Sequence, residues 1–118
     1  MLFNVALVAG GIADAFLRSL KADGAKIKAL AADEAQKLAI SLATVGELLR
    51  AGDIDREEAE ALIDVQKAAT ETVFAVLEGI GRAAARRATR AGLASAADTV
   101  DRAIGIPLVT TLIGGAPA

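Results

Sequence analysis

An all-α fold is what this sequence predicts, and three observations predict it. Residues of the apolar set make up 54% of 118 positions while aromatics supply only 3%. The apolar mass is therefore Ala, Leu, Ile and Val, which suit close-packed helices better than sheets. No proline occurs before Pro107, and over most of that length apolar residues recur at steps of three and four. The expected architecture is one domain: an antiparallel helical hairpin of residues 25–50 and 56–91, flanked by an apolar N-terminal helix within 1–22. A short helix and an apolar tail fill 95–118.

In the N-terminal segment, Ala13, Phe16, Leu17 and Leu20 are spaced as one helix face after the run LFNVALVAGG. That run has the apolar character of a targeting segment but no preceding positive residue, and it ends at Asp14, so a cleaved signal is not expected. Neither end of the chain reaches the roughly 18–20 continuous apolar residues of a simple membrane-spanning helix.

The first arm of the hairpin opens after the turn signal Asp23-Gly24. It carries Ile27, Ala31, Ala35, Leu38, Leu42, Val45 and Leu49 on one stripe, with Lys26, Asp33, Lys37, Thr44 and Glu47 off it. Gly52 follows where helices commonly end in the left-handed conformation. The second arm begins at GDIDREEAE, residues 52–60, where Asp55 and Glu58 have capping-box spacing. From there a stripe of triplets repeats every eleven residues: Leu62, Gln66, Ala69; Val73, Leu77, Ile80; Ala84, Ala88, Ala91. An eleven-residue period keeps a stripe nearly straight along a helix. One helix from Arg56 to about Ala91 is expected, weakened at Gly79 and Gly81 by about 1 kcal/mol each. Such a helix would be roughly 54 Å long and would protrude from a globule of this size. Beyond Gly92, Ser95 can cap a helix over about 96–104 that Gly105 and Pro107 stop. Residues 107–113 fit a strand or a short helix equally well.

Composition excludes several function classes. There is no cysteine, histidine, tryptophan or tyrosine, which removes disulfides, thiolate metal sites and the commonest general base. Only Phe3, Phe16 and Phe74 could stack on a base, and a net charge of −2 gives no global attraction to nucleic acid. Asp53, Asp55, Glu57 and Glu58 resemble the opening of a calcium loop, but Glu58 stands where such a loop needs glycine, and capping accounts for the acids. No serine or threonine has a histidine partner, and the glycine pairs match no phosphate-binding fingerprint. No catalytic, cofactor-binding or metal-binding residue is expected, and no small-molecule substrate. An enzyme is not expected.

The remaining features point to assembly. Arg82, Arg86, Arg87 and Arg90 lie near the end of the expected long helix, opposite Glu57, Glu58, Glu60 and Asp64 at its start. These charges complement the helix dipole, and two copies packed antiparallel would set acidic ends against basic ends. The arginines are also the candidates for contact with an anion or lipid head group. The apolar surplus, the over-long helix and an uncharged stretch from Ala103 to Ala118 predict a subunit that finishes its core against copies of itself. The expected interface is Val73, Leu77, Ile80, Ala84, Ala88, Ala91, Leu108 and Leu112, in a ring, tube, filament or virion component. The alternative expectation is a membrane-associated or membrane-inserting multimer, such as a pore or phage ejection component. A cytoplasmic or virion-associated location is favoured, with membrane association as the second choice.

Overall fold

The computed structural model describes residues 2–22 and 24–114. Asp23 of the expected first turn and residues 115–118 of the expected apolar tail lie outside the described residues. Five helices follow in order: α1 (Val5–Leu20), α2 (Ala25–Ala51), α3 (Arg56–Ala75), α4 (Gly81–Ile104) and α5 (Leu108–Leu112). The fold is all-α, and residues 107–113 hold a short helix.

Local chemistry sets most of these boundaries. The Asn4 side chain accepts from the Leu7 amide at 3.1 Å to start α1, and Lys21 closes it at φ 54°. Gly52, at φ 79°, ends α2 by donating its amide to the carbonyls of Leu48 and Leu49. The capping box forms at α3: the Glu58 amide donates to Asp55 Oδ1 at 2.8 Å, and the Asp55 amide donates to Glu58 Oε1 at 3.1 Å. Along α2 every stripe residue from Ile27 to Leu49 is buried or half-buried, while Lys26, Asp33, Lys37, Thr44 and Glu47 are exposed.

The second arm is not one helix. It stops at Ala75, turns through Val76–Ile80 and resumes as α4, with Gly79 at φ 82° and Gly81 at φ 72°. Those glycines do more than weaken the helix, because the left-handed region they occupy is one that other residues enter at a cost. The reversal is closed by the Leu77 amide donating to Phe74 and the Ile80 amide donating to Leu77, both at 3.1 Å. Consequently α4 packs back on α1, α2 and α3 instead of projecting outward, and the molecule measures 42 × 26 × 25 Å with a radius of gyration of 13.6 Å. The expected break between Ala91 and Ser95 is also absent. Ser95 lies inside α4 and donates its hydroxyl to the Gly92 carbonyl at 2.6 Å.

α1 packs between α2 and α4, and α5 closes the end formed by α3 and α4. The core centres on Phe16 and Phe74, whose rings meet edge to face at 4.9 Å between centroids. Ile12, Leu38, Leu42, Ile63, Leu93 and Val100 surround them. The apolar C-terminal stretch enters this core, since Leu108 and Val109 are fully buried. Asp101 holds the turn that brings them there, accepting from the amides of Val109 and Thr110 and from the Thr110 hydroxyl at 2.7–3.0 Å.

Candidate functional site

Of the eight residues expected at a subunit interface, two are enclosed in the chain's own core and six keep part of their surface exposed. Ala88 and Leu108 are fully buried, and Val73, Leu77, Ile80, Ala84, Ala91 and Leu112 are half-buried. Leu77, Ile80 and Leu112 pack on the core. The break at Val76–Ile80 returns the part of the eleven-residue stripe on α4 to α1, α2 and α3, while Leu62 and Ala69 of its first part stay exposed. A straight helix would have carried that stripe out to a neighbour.

Leu7 of α1 is 74% exposed, and the other large apolar residues that stay outside lie on α3, at its end or beside it on α2. The inner face of α3 is Ala59, Ile63, Thr70 and Phe74, all buried. Roughly a third of a turn away runs a second set, Leu62, Val65, Ala69, Thr72 and Val76, spaced by three and four. Val65 is 70% exposed, Val76 79% and Leu62 46%, while Ala69 and Thr72 are also exposed. Val76 belongs to the set because its backbone, at φ −85° and ψ −6°, continues the right-handed course for one residue past α3. Ala61 and Ala68 extend the face on one side. On the other side α2 contributes Ile40, 46% exposed, and an open groove runs between Ile40, Thr44 and Leu48 of α2 and Leu62 and Val65 of α3. Within it Ser41 donates to Gln66, and Gln66 donates to the buried Thr70, each at 3.4 Å, so the floor of the groove is a satisfied polar chain.

At the far end of this face a depression is lined by Glu71, Thr72, Ala75, Val76, Arg82 and Arg86. Arg82, Arg86, Arg87 and Arg90 are all exposed. They now stand in the first half of α4 instead of at the end of a long helix, so they sit near its positive dipole end and do not neutralise it. Among the described residues none of the four has an ion-pair partner. The acids Glu57, Asp64 and Glu71 recur at seven-residue steps along one flank of the α3 face. Glu71 also lines the depression, so Arg82 and Arg86 stand on that same flank.

Val65, Val76 and Ile40 are therefore surface residues that the sequence reading missed. Leu62, Val65, Ala69, Thr72 and Val76 form a readable second period, hidden because Leu62 and Ala69 also fit the eleven-residue stripe. Among the described residues no helix is long and apolar enough to cross a membrane, and no group of acids gathers as a metal site. A face of this kind can bury an apolar helix against itself and orient it by the charges at its two ends. No protein-family model, curated protein or solved structure matches the chain.

Proposed function

We propose that the protein is a self-assembling helical subunit whose contact surface is the outward face of α3. The single observation that supports this is the continuous row Leu62, Val65, Ala69, Thr72 and Val76, in which the two valines are 70% and 79% exposed. Scattered exposed aliphatics are ordinary, but a helical row beside an apolar groove is the form a docking face takes. Two arguments drawn from the sequence no longer support assembly: the over-long helix folds back, and the apolar tail packs inside as far as Leu112 and Ile113.

A face about 21 Å long on one helix lies at the small end of specific interfaces, so the association should be micromolar or weaker. Sedimentation equilibrium in detergent-free buffer from about 10 to about 1,000 µM covers that range. The weight-average mass should climb from the monomer value of 11.9 kDa as concentration rises. A flat mass over the whole range rejects the reading.

A further inference from the structure

We infer that the occupant of the α3 face is the α3 helix of a second copy, packed antiparallel about a two-fold axis at Ala69. This rests on the assembly reading and adds the partner's direction, register and charged contacts.

Register follows from the row itself. Leu62 and Val76 are each seven residues from Ala69, and Val65 and Thr72 bracket it. A two-fold at Ala69 therefore sets Leu62 against the partner's Val76, and Val65 beside the partner's Thr72. The bulky exposed residues lie toward the ends while Ala68 and Ala69 occupy the middle, where two backbones must come nearest. Val76 of each copy reaches the groove beside Leu62 and Leu48 of the other.

Charge decides the direction. An antiparallel pair related by such an axis brings each flank of one α3 against the same flank of the other. The flank in question carries Glu57 and Asp64 near the start of α3 and Arg82 and Arg86 beside its end. Antiparallel packing thus faces two carboxylates with two arginines, twice, using arginines that have no ion-pair partner among the described residues. Parallel packing about a two-fold along the helices would instead set this flank against the partner's opposite flank, so that these carboxylates and arginines go unpaired, and would align the helix dipoles. Because the contact uses one patch on both subunits, it closes as a dimer and builds no ring or filament by itself.

The absence of cysteine allows a direct test. Under mild oxidation Ala69→Cys should form a disulfide with itself. Leu62→Cys alone should not, but a mixture of Leu62→Cys and Val76→Cys should link one to the other. Val65→Asp, at a site too exposed to endanger the fold, should raise the dissociation constant about tenfold or more. Arg82→Glu with Arg86→Glu should weaken association about tenfold, and adding Glu57→Lys with Asp64→Lys should restore most of it. Circular dichroism of each variant should match the parent.

Other outcomes overturn the inference in distinguishable ways. A wild-type chain that stays at 11.9 kDa removes assembly itself. A dimer indifferent to Val65→Asp keeps assembly but moves it to another face, and a Leu62→Cys self-link makes the pair parallel. A monomer that floats with phosphatidylglycerol vesicles, and is released by Arg82→Glu with Arg86→Glu, assigns the face to lipid.

Discussion

Phe16 lays its ring against the backbone of Gly92, joining α1 to α4 at the centre of the core. A Cβ at position 92 would stand 2.7 Å from Cδ1 of that ring and 3.0 Å from Cγ2 of Ile12, so only glycine allows the two helices this separation. Gly92 had suggested an ending to the long helix, yet it lies in mid-helix with an ordinary helical backbone. Its role is to make room.

Gly92→Ala should therefore destabilise the protein. Alanine gains about 1 kcal/mol of helix propensity over glycine, whereas overpacking a filled core costs about 1–3 kcal/mol. Phe16 cannot retreat, being fully buried and edge-on to Phe74 at 4.9 Å. A net loss of up to about 2 kcal/mol is expected, lowering Tm by up to roughly 8 °C in a thermal melt. A Tm equal to the parent's or higher would contradict the packing.

Gly10→Ala and Gly11→Ala should do the opposite. Both lie within α1, and a Cβ at either would meet no heavy atom within 4 Å. Each should add about 0.5–1 kcal/mol through propensity and a less flexible unfolded chain. Urea unfolding of the three glycine variants side by side checks the sign, because only Gly92 should fall.

The reversal at Val76–Ile80 sets the shape of the molecule. Gly79→Ala combined with Gly81→Ala should cost about 2–3 kcal/mol, since both positions have positive φ. Joining α3 to α4 would make a helix roughly 70 Å long and strip α4 from α1, so the variant should stay compact and lose stability instead. Small-angle scattering at low concentration should give the parent's radius. A marked elongation would show that the glycines alone hold the turn.

The C-terminal segment is fixed by one carboxylate and one leucine. Asp101→Ala removes the acceptor for two amides and a hydroxyl of α5 and should cost about 1–2 kcal/mol. Leu108→Ala should cost about 2–5 kcal/mol because Leu108 is fully buried. Hydrogen exchange should show α5 opening in both variants, and protection of its amides equal to the parent's in Asp101→Ala would disprove the capping role.

Residues that act on near neighbours were legible in the sequence. Asp55 and Glu58 cap α3 through bonds three residues apart, Gly52 ends α2, Gly105 ends α4 at φ 93°, and the α2 stripe faces inward as its period required. The candidate surface was legible only in part. Its residues have a clear period, but Leu62 and Ala69 served two patterns at once, and nothing local favours one.

By itself, then, the sequence determined an all-helical chain, the capped start of α3 and the faces of α2, because hydrogen bonds within one turn depend only on residues within reach of that turn. Tertiary structure decided that the second arm breaks at Val76–Ile80, that Gly92 makes room for Phe16, that Leu108 enters the core and that Val65 stays outside. Burial depends on what stands opposite a side chain, and here that is contributed by α1 and α5 from the two ends of the chain.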